Sequence, residues 1–209
     1  MPIELCWLTF KIWVRSLIAY WVSLPLVEVS GSSLKVRIYA YSLGQDEPAK
    51  CTSNKLCRFG YARRIVRVRQ IPWKAVLLNP FAAKVLTSAD RGYAERWGMV
   101  VVDCSWERVR EVKWGRLRGI HRRLPLLLAS NPVSYGKLAR LSSIEALAAS
   151  LYILGFKEDA ERILRLYKWG EGFLKLNLEP LEAYRKALTT KDIEKIEAEY
   201  FSCSIRHIP

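Results

Sequence analysis

Gly98-Met-Val-Val-Val-Asp-Cys104 is the stretch on which the fold turns. Its apolar residues follow one another without polar alternation, and an acid closes the run, so it reads as a strand buried on both faces. Ala75-Val-Leu-Leu-Asn79 upstream and Leu124-Pro-Leu-Leu-Leu-Ala129 downstream repeat the pattern. Between the first two, Thr87-Ser-Ala-Asp90 starts a helix that runs through Trp97. Buried strands separated by helices predict an α/β fold, with a mostly parallel sheet flanked by helices.

Working outward, Lys35-Val-Arg-Ile-Tyr-Ala-Tyr41 alternates and reads as the first strand. The polar loop from Gly44, which contains Pro48, separates it from a helix expected over 53–64. After the third apolar run, Ser130-Asn-Pro-Val-Ser-Tyr-Gly136 is rich in turn residues, and Ser142-x-x-Glu145 forms a capping box before an apolar helix. From there to Phe201 the pattern is helical, with Leu164, Leu166, Trp169, Phe173 and Leu174 as core candidates.

At 209 residues the chain suits one compact domain or a domain with an extension. Residues 7–27 are rich in Trp, Leu, Ile and Val, but Lys11 and Arg15 interrupt them, and the run after Arg15 falls short of the roughly 20 residues that span a bilayer. No small-x-small cleavage site follows, so neither an anchor nor a signal peptide is expected. The break Glu28-Val-Ser-Gly-Ser-Ser33 sets off residues 1–33 as an extension of uncertain role.

The net charge of +14 points to a polyanionic partner, because a compact cation releases counterions from the polymer it binds. The five cysteines contain no Cys-x-x-Cys pair, and the two histidines are far from them in sequence, which argues against a zinc site and a secreted disulfide scaffold. The thiols suit a reducing cytoplasm, and no metal is expected.

In open α/β sheets ligands settle beyond the carboxyl ends of the strands. Here those ends lie after Tyr41, Val102 and Ala129. No Gly-x-Gly-x-x-Gly and no P-loop follows any strand, which disfavours a nucleotide in a Rossmann or Walker arrangement. Asp103-Cys104-Ser105-Trp106-Glu107 brings a carboxylate, a hydroxyl and a large aromatic out of the sheet together. Two readings stand: a ligand site, or Asp103 and Ser105 capping a following helix with Trp106 in the core. Thr52 and Ser53 likewise cap either their helix or a ligand. Cys104 has no histidine nearby and reads as a structural thiol. Two arginine clusters, Arg63, Arg64, Arg67 and Arg69, and then Arg108, Arg110, Arg116, Arg118, Arg122 and Arg123, flank these loops and suit an RNA track. Lys55 joins them as a candidate.

Four ordered blocks carry a resemblance. Gln45-Asp-Glu-Pro-Ala-Lys-Cys-Thr-Ser-Asn-Lys-Leu56, Val100-Val-Val-Asp-Cys-Ser-Trp106, the segment from Leu124 to Gly136, and Leu141-Ser-Ser-Ile-Glu-Ala-Leu-Ala-Ala149 resemble the small-subunit rRNA aminocarboxypropyltransferases of archaea and eukaryotes. The resemblance starts near Lys35 and leaves out the first 33 residues. It implies a fold like that of the knotted SPOUT RNA methyltransferases, with a C-terminal trefoil knot, an exception to the usual absence of knots. It implies S-adenosyl-L-methionine (SAM) as co-substrate, methylthioadenosine as product, and a pseudouridine-type base in small-subunit rRNA as acceptor. By the same resemblance SAM contacts Thr52, Val100, Leu124, Ala139 and Ser143, mostly through backbone groups, with Asp103, Ser105 and Trp106 completing the pocket. Ala139 departs from the bulky aromatic expected there, and Leu138 from an expected proline. Trp106 is expected to pack the SAM methyl group away from the RNA. Asp103 either holds the SAM amino group or takes the base proton, and the binding role is favoured because an ordinary carboxylate is a weak base.

The resulting expectation is a monomeric cytoplasmic transferase. Residues 1–33 form the extension, 34–115 an N-terminal α/β part, and 116–209 the knotted SAM-binding part with the C-terminal helices. A SPOUT methyltransferase and a non-catalytic ribosome-assembly factor are the alternatives.

Overall fold

The computed structural model describes residues 34–43 and 52–205, the side chains of 203–205 excepted, and residues 34–209 make one compact unit. The readings made of residues 1–33, of the loop over 44–51, and of the side chains of Cys6, Cys51, Cys203 and His207 lie outside the described residues. Among the described residues, no helix is long and apolar enough to cross a membrane.

Five strands form one sheet: β1 (Ile38–Ser42), β2 (Arg63–Ile65), β3 (Val76–Leu78), β4 (Met99–Asp103) and β5 (Ile120–Arg122). Their spatial order is β2-β1-β4-β3-β5, and every pairing is parallel. All of β4 is buried because it is paired on both sides, Ile38↔Met99 through Ser42↔Asp103 with β1, and Val76↔Met99 with β3. The chain enters it through Gly98, whose φ of +86° suits glycine. A Cβ there would lie 2.5 Å from the Arg37 carbonyl oxygen, so the close approach of β1 also demands it.

Two apolar clusters cover the two faces. Ile38, Ala40, Met99 and Val101 face the larger one, built with α1 (Thr52–Arg58), α2 (Arg91–Trp97), α3 (Ser143–Ile153), α4 (Lys157–Leu164), α5 (Gly170–Leu176), α6 (Leu178–Lys186) and α7 (Thr190–Ile205). Tyr41, Leu77, Val100 and Val102 face the smaller one, closed by Ile71, Val112 and Leu117 from irregular segments. Helix α3 is the central post. It packs against α1, α4, α6 and β4, and its side chains are buried almost all round, as its uniformly apolar sequence requires. Of the expected core residues in the helical region, Leu164 and Phe173 are fully buried, while Leu166, Trp169 and Leu174 pack at the cluster's margin.

Two expectations are corrected. The helix over 53–64 ends at Arg58, because Gly60 takes φ +75° and both Tyr61 and Ala62 donate to the Leu56 carbonyl, a glycine-assisted stop. Arg63 and Arg64 therefore stand on the edge strand β2 and not on a helix. The apolar run at 124–129 is not a ladder strand, and the last strand lies one step earlier, at Ile120–Arg122.

Residues 124–130 are instead an extended segment whose backbone groups are taken singly. Leu126 N–H donates to Glu197 Oε1 at 3.0 Å, and the Tyr184 hydroxyl donates to the Leu126 carbonyl at 3.1 Å. Asn177 accepts from Leu128 N–H at 2.8 Å and donates back to its carbonyl at 2.9 Å. On the other side, Gly136 and Ala139 donate to the Ala129 and Leu127 carbonyls, and Ala129 N–H donates to Lys137. Buried amides must be paired, and here helix side chains replace a neighbouring strand.

Candidate cofactor and RNA site

The strand order fixes where a ligand can sit. From β1 the chain moves outward to β2, whereas from β4 it crosses to β5 on the other side. The connections diverge between β1 and β4, the switch point beyond whose carboxyl ends open α/β sheets form a ligand crevice. Ser42 and Asp103 are the paired residues at that point.

Three segments close around the crevice. Helix α1 starts at Thr52, after the loop that leaves β1, and packs against α3. The segment leaving β4 carries Asp103, which is buried, half-buried Ser105, and Trp106, which is 37% exposed. The indole N–H of Trp106 donates to the Leu141 carbonyl at 2.8 Å, tying this segment to the turn before α3. Asp103 also acts on α1. Burial pushes the Cys57 thiol above its ordinary pKa, the hydrogen-bonded Arg64 guanidinium opposes that rise, and the Asp103 carboxylate adds to it. Strand β2 and helix α1 thus meet at this thiol, and the end of β4 acts on it through its charge.

The turn before α3 is organised by Glu145. Its carboxylate is 0% exposed and accepts five hydrogen bonds: from Ser130 N–H and Asn131 N–H, from the Asn131 side-chain amide, and from the N–H and hydroxyl of Ser142. One side chain therefore caps α3 and clasps the 130–131 loop, leaving Ser143 as the first residue of the helix. Ala139, across from Leu127, is exposed and held at φ +60°, the one non-glycine residue among those described with positive φ. That conformation costs a residue with a Cβ roughly 1 kcal/mol or more.

Thr52, Asp103, Ser105, Trp106 and Ser143 lie on the three segments that the structure joins. Leu124 and Ala139 lie at the two ends of the stretch formed by segment 124–130 and the turn that returns along it, which Glu145 and Asn177 hold. Val100 is not brought to the crevice. It lies inside β4, fully buried between Tyr39 and Leu77, and the end of that strand is Asp103. The capping reading of Asp103 and Ser105 also fails, because the chain runs into single 3-10 turns at Val109–Glu111 and Trp114–Arg116 and into no helix, and neither turn has a side-chain cap. Glu145 and Asn177 escaped the sequence reading as site organisers. The capping box signalled the first, but only to its own helix.

The basic residues divide. Arg63, Arg64, Arg67 and Arg69 are exposed, as are Arg110, Arg116 and Arg118. The segments of Arg67, Arg69, Arg110, Arg116 and Arg118 also carry Val68, Ile71, Val112 and Leu117, so these arginines ride over the face of the smaller cluster, whereas Arg64 bonds Cys57 of α1 on the other face. Arg108 pairs with Glu111 at 2.9 Å on the surface. Lys55 and Arg123 turn inward: Lys55 donates to the Leu166 carbonyl and stands 4.1 Å over the Tyr167 ring, and Arg123 pairs with Glu197 at 3.1 Å.

Comparison with known proteins identifies the family. Residues 76–201 match the family described as "Ribosome biogenesis protein, C-terminal". The chain is 44% identical over 170 residues to the 16S rRNA aminocarboxypropyltransferase of Methanosarcina mazei, an alignment covering 80% of this chain and 96% of the relative. It is 50% identical over 170 residues to the enzyme of the same name from Thermoplasma acidophilum, covering 79% and 99%. The solved structure of the SAM-dependent rRNA:acp-transferase Tsr3 from Vulcanisaeta distributa superposes with a TM-score of 0.72 at 44% identity, covering 77% of this chain and 88% of that one. The chain belongs to the 16S rRNA aminocarboxypropyltransferase family.

Proposed function

We propose that this protein transfers the 3-amino-3-carboxypropyl group of SAM to a ring nitrogen of a pseudouridine-type base in small-subunit rRNA. The observation that carries the reading is the near-complete coverage of relatives bearing that name, 96% and 99% of their lengths, at 44% and 50% identity. The crevice beyond β1 and β4 supports it, because a buried carboxylate, a hydroxyl and a half-exposed indole leave one strand end together.

SAM brings a carbon activated by its sulfonium, so the protein's work is to align and to shield. Thr52, Ser105, Leu124, Ala139 and Ser143 hold the cofactor, largely through backbone groups. Asp103 holds its amino group, and Trp106, fixed by its bond to Leu141, covers the methyl group and leaves the side-chain carbon open to the RNA. The lone pair of the base nitrogen forms the new N–C bond, the C–S pair returns to sulfur, methylthioadenosine leaves, and the nitrogen's proton passes to water. Arg63, Arg64, Arg108 and Arg110, with the neighbouring exposed arginines, hold the phosphates. Lys55 and Arg123 serve mainly to hold the fold.

In this reading residues 34–115 supply most of the sheet and most of these arginines. Residues 116–209 supply the cofactor loops, and a trefoil knot forms around segment 124–130. The support for the knot is that this segment is gripped by side chains of helices that follow it in the chain. The enzyme acts as a monomer in the cytoplasm.

The test is to incubate the protein with small-subunit rRNA and SAM labelled in the methyl group or in the carboxyl carbon. Carboxyl label entering the RNA is the expected result. Methyl label alone means a methyltransferase, and neither label, with SAM bound, means an assembly factor.

A further inference from the structure

The opposite edge of the sheet, where the strands begin, carries a second cluster that the reaction does not use. Trp73 and Lys74 precede β3, and Trp97 ends α2 just before β4. Trp73 is 62% exposed and Tyr93 is 43% exposed, unusual for rings of that size. Trp73 and Trp97 meet edge to face, with centroids 5.8 Å apart at 72°. Cations surround them: Lys74 Nζ lies 4.4 Å from the Trp73 centroid and 6.0 Å from that of Trp97, and the Arg96 guanidinium lies 5.7 Å from Trp97. Arg37 donates to the Arg96 carbonyl and adds a third cation.

Beside these rings lies a cavity of about 360 Å³, lined by Lys74, Ala89, Gly92, Tyr93, Arg96 and Trp97. Its volume falls within the roughly 300–1,000 Å³ of small-ligand sites. None of the lining residues is acidic, and the acid of α2, Glu95, pairs with Arg91 at 2.9 Å. Nothing stands within 4 Å of the place where a Gly92 side chain would begin, so the cleft is open there.

We infer that this cleft and the exposed Trp73 beside it form a second RNA-binding site, in which unpaired bases stack on Tyr93 and on Trp73 and the flanking phosphates are held by Lys74 and Arg96. Aromatic faces interleaved with cations are what single-stranded RNA requires. A protein partner would also use Trp, Tyr and Arg, but a lining whose charged groups, Lys74 and Arg96, are both cations suits a polyanion better. The four steps of β4 from Met99 to Asp103 separate this edge from Asp103 by about 13 Å. The cleft therefore grips RNA away from the reacting base and raises the local concentration of the target. The inference rests on RNA being the substrate.

The experiment uses the full chain with Trp73→Ala plus Arg96→Glu, and Trp73→Phe as the conservative partner, each checked by circular dichroism. Binding is measured by fluorescence anisotropy on a small-subunit rRNA transcript and on a 12-nucleotide single-stranded RNA, beside SAM affinity and transfer at saturating RNA. The double variant is expected to bind both RNAs about tenfold or more weakly. SAM affinity and saturated turnover stay unchanged, and Trp73→Phe retains most of the affinity. RNA carrying 4-thiouridine is expected to cross-link to the tryptic peptide over 70–74. Unchanged affinity for both RNAs overturns the inference. Wild type that binds and cross-links through this peptide but transfers nothing leaves the cleft standing and removes the proposed activity.

Discussion

The Trp106 indole N–H donates to the Leu141 carbonyl at 2.8 Å, so the segment leaving β4 and the turn opening α3 cannot separate without breaking a partly buried bond. A ring held this way works as a fixed wall and not as a flap. Trp106→Phe keeps an aromatic wall but loses the anchor, and a small displacement of reacting groups costs up to about 100-fold in rate. The expected result is aminocarboxypropyl transfer reduced about tenfold with SAM still bound. Trp106→Ala is expected to lose transfer almost wholly and to raise the ratio of methyl to carboxyl label in the RNA. An unchanged rate and ratio in both variants would remove Trp106 from the site.

Glu145 concentrates risk in one buried carboxylate. Five donors converge on it, among them the N–H groups of Ser130 and Asn131. Glu145→Ala strands those donors and removes half of the capping box, so the expected loss is about 3–5 kcal/mol. Chemical unfolding at neutral pH measures it. Glu145→Gln keeps the shape but turns part of the acceptor set into a donor, and is expected to fall between wild type and Glu145→Ala.

Asn177 does for Leu128 what a neighbouring strand would have done. It accepts at 2.8 Å and donates at 2.9 Å, and it is fully buried. Asn177→Leu offers similar volume without either bond, leaving one buried N–H and one carbonyl unpaired at a cost of about 2–4 kcal/mol. Amide hydrogen exchange gives the sharper reading: the Leu128 amide is expected to exchange faster in the variant, while β4 amides keep their order of protection.

These side-chain clasps explain which parts of the structure were legible from the sequence. The run at 98–104 declared a buried parallel strand through its lack of alternation, and β4 is buried at every residue and paired on both sides. The run at 124–129 has the same character, but an apolar run records burial and says nothing of who takes the amides. Leu127 and Ala129 pair with residues 136–139, but the groups of Leu126 and Leu128 are taken by residues 177, 184 and 197, too distant for any local pattern. In the crevice, Asp103 and Trp106 stood out because unusual residue types leave a strand end together. Cys57 with Arg64, and the inward turn of Lys55 and Arg123, depend on tertiary neighbours that periodicity does not encode.

Acid stability should report on Glu182. Lys157, the Tyr152 hydroxyl and Arg185 all donate to its carboxylate, joining α3, α4 and α6. The Lys157 bond first, then Tyr152 and Arg185, hold its pKa down, from an ordinary 4.5 to about 2. A carboxyl whose folded pKa is depressed stabilises the fold fully above its unfolded value and loses that contribution as pH falls through the folded one. The window is therefore pH 4.5 down to about 2. Because the side chain is 30% exposed, water screens the network and its contribution is about 1–2 kcal/mol. Glu182→Gln is expected to lower urea stability by that amount at pH 7, with the gap to wild type narrowing through the window and nearly gone at pH 2. A gap that stays constant with pH would mean that Glu182 acts through packing and not through its charge.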